Sequence, residues 1–227
     1  MAGSSWVAWV IVALVGGYLL GAVPTGYLMG RLLKGIDIRQ YGSGSTGATN
    51  VLRTLGKVPA LTVLLIDILK GALTVVLTRW LYTLPMVAVP DSLMTTTWVP
   101  WVVTVAALAA LVGHSRSIWL GFSGGKSVAS GLGILLAMHL PAALGSILIF
   151  SIVIAASRIV SLSSIMTSIS VPLMMLAMNQ PLPFQLFGFA AALYIVWRHR
   201  TNIQRILAGT EPRIGQKLEQ QSTESGS

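Results

Sequence analysis

Long runs of apolar residues, broken by short clusters of Gly, Ser, Pro and Arg, set the rhythm of this chain. Residues 5–30 carry no charge, and a helix needs roughly 20 such residues to cross about 30 Å of hydrocarbon. The run reads as a span rather than a signal peptide. No basic residue precedes it, and it outlasts an h-region of about 7–15 residues. A second run covers 58–84 and holds Asp67, Lys70 and Arg79 inside it. Further runs cover 98–112, 128–140, 142–157, 165–178 and 184–197. Several are short, which suits tilted or kinked helices. The pattern predicts an all-α integral membrane protein with seven transmembrane helices, some of them short. Residues 1–218 read as one polytopic domain, and 219–227 as a polar, disordered tail.

Composition narrows the class. Of 227 residues, 54% are hydrophobic and 9% charged, far below the roughly one-quarter charged share of soluble domains. An ordinary soluble globule and a disordered chain are both excluded. The absence of Cys removes disulfides, thiolate metal sites and cysteine nucleophiles.

The distribution of charge gives orientation. By the parity of seven spans, Arg31, Lys34, Arg39, Arg53, Lys57, Arg116, Lys126, Arg158, Arg198, Arg200, Arg205, Arg213 and Lys217 fall on one side. Arg79 falls on the other, and Lys70 within a span. The positive-inside rule makes the basic side cytoplasmic, so the N-terminus is outside and the C-terminus inside. The outer connectors carry Pro85, Pro90, Asp91, a Thr run, Pro141, Pro181 and Pro183.

The unusual sequence lies on the basic side. The loop 31–57 contains Gly42-Ser43-Gly44-Ser45-Thr46-Gly47, followed by Thr49, Asn50 and Arg53. Glycines permit tight turns, and successive backbone N–H groups in such turns form concave anion sites. The small side chains add donors, and Arg53 adds a planar fork suited to phosphate. A plain flexible linker would not need Thr49, Asn50 and Arg53 at a helix start.

The loop 113–127 ends in Gly124-Gly125-Lys126-Ser127 just before an apolar helix. That is the layout of a phosphate cradle made of glycine amides, a helix N-terminus and one Lys. It is not a Walker A motif, because Leu120 stands where the first Gly is required. Segment 157–164 joins two spans with Arg158, Ser161, Ser163 and Ser164, hydroxyls that also suit helix capping. In the tail, His199, Asn202 and Arg205 recur on one side of a helix. Asp67 and Lys70, three apart in a span, read as a salt bridge or as Lys70 reaching the polar site. His114 reads as a structural hydrogen-bonding residue and His139 as incidental.

Together these motifs resemble the PlsY family, the acyl-phosphate:glycerol-3-phosphate acyltransferases of bacteria. The family pattern GSGNxGATNxxRxxG resembles residues 42–56, and GHxxxxxxxFxGGKGVA resembles 113–129. RxxSxxS is similar to 158–164, RHRxNIxRLxxGxE to 198–211, and DxxKG to 67–71. The resemblance implies transfer of a fatty acyl group from acyl phosphate to the 1-hydroxyl of sn-glycerol 3-phosphate. The products are 1-acylglycerol 3-phosphate (lysophosphatidic acid) and phosphate. It implies activity roles for Ser43, Arg53, His199 and Asn202, glycerol 3-phosphate binding by Gly124, Gly125 and Lys126, and a structural role for Glu211. With the loop residues Gly42, Gly44, Ser45, Thr49 and Asn50, with Ser161 and Ser163, and with Lys70, this completes the expected substrate site; Asp67 is expected to be structural.

Two positions depart from the family pattern: Ser45 replaces Asn, and Ser127 replaces the third Gly of GGKG. Serine does not easily take a positive φ, so a loop that used the glycine for that torsion is expected to differ here.

No HxxxxD acid/base pair exists, because Trp119, Leu144 and Gln204 stand five residues after the three histidines. Direct attack by the acceptor hydroxyl is expected, with a substrate phosphate oxygen or His199 as base. No cofactor or metal is expected. The partners are acyl phosphate, sn-glycerol 3-phosphate and membrane lipids, without nucleic acid, and the expected location is the bacterial inner membrane. A transporter using Asp67 and Lys70 as a relay is the rival reading. A phosphotransferase of the CDP-alcohol type would need an Asp cluster that the chain lacks.

Overall fold

The computed structural model describes residues 5–87 and 97–216, the side chains of 5–7 excepted. Lys217, the tail 219–227 and most of the outer connector with Pro90 and Asp91 lie outside the described residues. Among the described residues the regular structure is helical, and one isolated bridge pairs Ser117 with Ser123.

The helices run α1 (Ser5–Ala22), α2 (Thr25–Lys34), α3 (Ala48–Leu55), α4 (Lys57–Leu81), α5 (Val99–Ser115), α6 (Val128–Met138), α7 (Leu140–Ser157), α8 (Val160–Ala177), α9 (Leu182–Arg198) and α10 (Arg200–Leu207). Four apolar segments are long enough to cross a membrane: Ala8–Lys34, which joins α1 and α2, then α4, α7 and α8. Helices α5, α6 and α9 are shorter and also apolar. Large side chains such as Leu193, 74% exposed, together with Leu69, Leu148 and Leu173, face outward. Lipid, not water, is the solvent in which that surface costs nothing.

Three features differ from the hydropathy reading. The first span is broken at Pro24, whose ring and missing N–H stop a helix. The break leaves the Val23 carbonyl to accept from Thr25 N–H at 3.0 Å and from Lys70 Nζ at 3.0 Å. Helix α8 begins at Val160 rather than 165, so the Ser-rich connector shrinks to Arg158 and Ile159. Arg158 makes that turn with φ +59°. Finally, His139 is not incidental. Its Nδ1 accepts from Ala142 N–H at 3.2 Å and caps α7.

Helix α6, with 11 residues, rises only about 16 Å at 1.5 Å per residue. Its last carbonyls would be orphaned at depth. Arg79 meets them, donating to Ala137 O at 2.9 Å and Met138 O at 3.3 Å. This gives a role to Arg79, the cation that the charge count set apart from the others. Helix α6 lies tightly on α4, because Gly71 and Gly133 face backbone carbonyls that a Cβ would strike. Val75, Leu111, Ile134 and Phe187 fill the core beside them.

Candidate active site

The first loop is shaped by torsion and by one buried amide. Gly42 and Gly44 take φ of +58° and +68°. Asn50, 1% exposed, accepts from Ser43 N–H at 2.8 Å and donates to the carbonyls of Ile38, Tyr41 and Ser45 at 2.8–3.1 Å. An amide offers two donors and one carbonyl, so the loop itself takes up all of Asn50. Its expected part as a substrate donor gives way to holding Ser43 and Ser45 in place. Gly42 and Gly44 stand behind that surface and do not line the cavity described below.

Arg39 joins this loop to the second. It pairs with Asp37 at 2.6 Å and donates to Leu120 O at 3.1 Å and Ser123 Oγ at 2.9 Å. In sequence it was one more positive-inside charge, with no motif to mark it.

In the second loop one amide of the expected glycine cradle is already engaged. Gly125 N–H donates to His114 O at 3.1 Å, so it is not free for an anion. Neither Gly124 nor Gly125 lines the cavity. Lys126 does, and its Nζ donates to Asn202 Oδ1 at 2.6 Å. Ser127 itself adopts the torsion that a glycine would take easily. It takes φ +65° despite its side chain, and its hydroxyl donates to Leu111 O at 2.6 Å.

The C-terminal elements complete the polar wall. Asn202 Nδ2 donates to Glu211 Oε1 at 2.6 Å, Ser161 Oγ to the same oxygen at 2.7 Å, and Arg205 Nε to Oε2 at 2.7 Å. Burial alone would push the Glu211 carboxyl up, but these three donors together hold it below its ordinary value. Lys126 is brought down to about 8 by burial, opposed by Glu211 and reinforced by Arg205, Arg198 and Arg53. His199 falls to about 4, also through burial first, with the Ile195 carbonyl opposing and Lys126 reinforcing. Its Nδ1 lies 2.8 Å from Ile195 O. A carbonyl only accepts, so Nδ1 carries the proton and Nε2 is left as an acceptor.

A single cavity of about 640 Å³ collects these groups. Ser43, Ser45, Thr49, Arg53, Lys126, Ser161, His199, Asn202 and Glu211 form its polar end, and Leu135, Phe150, Val171 and Phe187 its apolar depth. Arg53 has no hydrogen-bond or ion-pair partner among the described residues.

Besides the four glycines Gly42, Gly44, Gly124 and Gly125, two further expected ligands are absent from the lining. Ser163, fully buried, returns its hydroxyl to Ile159 O at 3.0 Å. Lys70 is occupied by Asp67 at 2.8 Å and Val23 O. Thr25 completes the Asp67 cluster at 2.5 Å, which makes Asp67 an architectural anchor and leaves little for a transport relay. Asp67 and His114, two residues taken as structural, do line the cavity wall.

Fold and site together define a helical integral membrane protein whose cavity joins a cationic, polar end to an apolar depth. The family model for glycerol-3-phosphate acyltransferase matches residues 11–209. The chain is 54% identical over 225 residues to a glycerol-3-phosphate acyltransferase of Trichormus variabilis, covering 97% of this chain and 98% of that one. It is 56% identical over 210 residues to the namesake from Nostoc sp., covering 92% and 93%. Among solved structures it is similar to PlsY (YgiH), an integral membrane glycerol 3-phosphate acyltransferase. The glycerol 3-phosphate form matches with a TM-score of 0.80 and 34% identity, over 91% of this chain and 96% of that one. The lysophosphatidic acid form matches at 0.78 and 33%, over 91% and 95%. The chain belongs to the glycerol-3-phosphate acyltransferase family.

Proposed function

We propose that this acyltransferase moves a fatty acyl group from acyl phosphate to the 1-hydroxyl of sn-glycerol 3-phosphate. It releases phosphate and 1-acylglycerol 3-phosphate, the first acylation of phospholipid synthesis. The observation that carries the reading is the two-part cavity, with Arg53 and Lys126 at the polar end and apolar helix faces in the depth. That shape accepts two phosphates side by side and leaves an acyl chain among the spans. The related structures in glycerol 3-phosphate and lysophosphatidic acid forms support the acceptor and the product. The charge asymmetry of the chain supports a site facing the cytoplasm from the bacterial inner membrane.

The donor is already activated, so the protein's work is positioning and charge stabilisation. The acceptor oxygen attacks the acyl carbonyl carbon directly. One C–O bond forms, the bond from the acyl carbon to the phosphate oxygen breaks, and phosphate leaves with its electron pair. Arg53 and Lys126 face the charge that develops. The hydroxyl proton passes to a phosphate oxygen of the substrate. Neutral His199, with a pKa near 4, is a weak base at neutral pH, and its Nε2 serves to orient the hydroxyl. Ser43 lines the same end as a donor, and Asn202 aligns Lys126 against Glu211.

Purified protein in detergent, given acyl phosphate and glycerol 3-phosphate, releases phosphate and forms the acylated product, while acyl-CoA and acyl-carrier-protein do not serve as donors. Arg53→Ala lowers kcat/KM on the order of 100-fold or more. Equal use of acyl-CoA overturns the donor assignment. A His199→Asn variant that binds both substrates and turns over neither overturns the choice of base.

A further inference from the structure

We propose that His114 is the positioning residue of the second loop: it is the bed on which Gly124 and Gly125 lie, and it thereby sets where the Lys126 ammonium stands in the cavity. The proposal rests on the reading of Lys126 as a phosphate-holding group.

The two glycines do not supply a special torsion, because neither takes a positive φ. They also do not face the cavity. What requires them is contact with one residue. A Cβ on Gly124 would lie under 3.0 Å from the His114 carbonyl oxygen, and a Cβ on Gly125 under 3.0 Å from His114 Nε2. The Gly125 N–H donates to the same His114 carbonyl at 3.1 Å. On its other side the Gly125 carbonyl accepts from Arg198 Nη2 at 2.9 Å. Gly125 is thus held between helix ends α5 and α9, and the next residue reaches Asn202 at 2.6 Å.

The imidazole cannot yield as the end of a free side chain would. It is buried, its Nδ1 lies 3.3 Å from Ser130 Oγ and 3.7 Å from Asp67 Oδ1, and Asp67 is itself fixed by Lys70 and Thr25. The intramembrane cluster on α2 and α4, otherwise unused by the chemistry, thereby becomes the footing of the lysine loop.

A double-mutant cycle on His114 and Gly125 tests this, with glycerol 3-phosphate affinity measured by equilibrium binding in detergent beside steady-state kinetics. Gly125→Ala weakens binding about tenfold and raises KM in step, with kcat held within about threefold, because the new Cβ meets the ring. His114→Ala also raises KM. The double variant binds tighter than Gly125→Ala alone, because the obstructing ring is gone. Ser130→Ala, a milder change, raises KM about threefold at unchanged kcat, and stands in for His114→Ala if that variant does not fold. Strict additivity in the cycle, or a loss confined to kcat, overturns the proposal. A wild type that binds glycerol 3-phosphate without acylating it overturns the functional reading and leaves the cycle readable. A wild type that does not bind it overturns both.

Discussion

The two glycine-rich loops look alike as strings and work by different physics. In the first, Gly42 and Gly44 are in the left-handed region, and a buried carboxamide from the following helix fixes the turn. In the second, Gly124 and Gly125 have ordinary torsions and are small because His114 is in the way. The left-handed positions there fall to Gly121, Phe122 and Ser127. A glycine can therefore answer a backbone demand or a neighbour's demand, and spacing alone does not say which. The first loop presents hydroxyls and leaves Arg53 unpaired, whereas the second presents one cation already held by Asn202.

The largest expected effect breaks the first loop. Asn50→Ala leaves three carbonyls and one N–H without their partner, each costing about 1–3 kcal/mol where water does not replace it. We expect a loss of several kcal/mol in stability together with a fall in activity on the order of 100-fold. Thermal unfolding in detergent and kcat/KM measure the two. Asn202→Ala should leave the first loop intact and fall mainly on substrate affinity, through Lys126. If Asn50→Ala keeps both stability and turnover, torsion alone holds the loop and the contrast is lost.

Much of this was legible in the sequence, for physical reasons. Apolar runs report lipid contact directly, so all seven apolar stretches reappear as helices. Polar residues among apolar runs are conspicuous, so Ser43, Arg53, Lys126, His199 and Asn202 stood out, and they converge on one cavity. What stayed hidden was partnership. Nothing in the string says that Asn50 faces its own loop, that Ser163 bonds the preceding turn, or that Arg79 caps a helix 58 residues away in sequence. Nor does hydropathy register Pro24 as a break, since proline interrupts hydrogen bonding without interrupting an apolar run.

A second, intermediate effect sharpens the charge contrast between the loops. Lys126 titrates near 8, and only its protonated form attracts phosphate. Below that value it is charged in the free enzyme; as pH rises through it, the ammonium is lost. We expect kcat/KM to fall above about pH 8, approaching tenfold per unit, and Lys126→Arg to move that limb upward because guanidinium stays charged. Arg53 contributes no such limb. His199, near 4, is already neutral throughout the range, so no inflection belonging to it appears between pH 6 and 7. An inflection there that vanishes in His199→Asn would return the base role to the imidazole.

The smallest effect concerns Ser127, the left-handed position of the second loop that directly follows Lys126. Ser127 stands at φ +65°, a conformation costing a non-glycine residue roughly 1–2 kcal/mol. Against that, its buried hydroxyl donates to Leu111 O at 2.6 Å, a bond contributing about 0.5–1.5 kcal/mol. Ser127→Gly removes both, so its unfolding temperature in detergent should stay within a few degrees of wild type. Ser127→Ala keeps the strained torsion and loses only the bond, and should therefore be the less stable of the two. The reverse order would mean that the loop relaxes away from the left-handed region once the hydroxyl is gone. The bond to Leu111, rather than the turn, would then be what fixes the residue after Lys126.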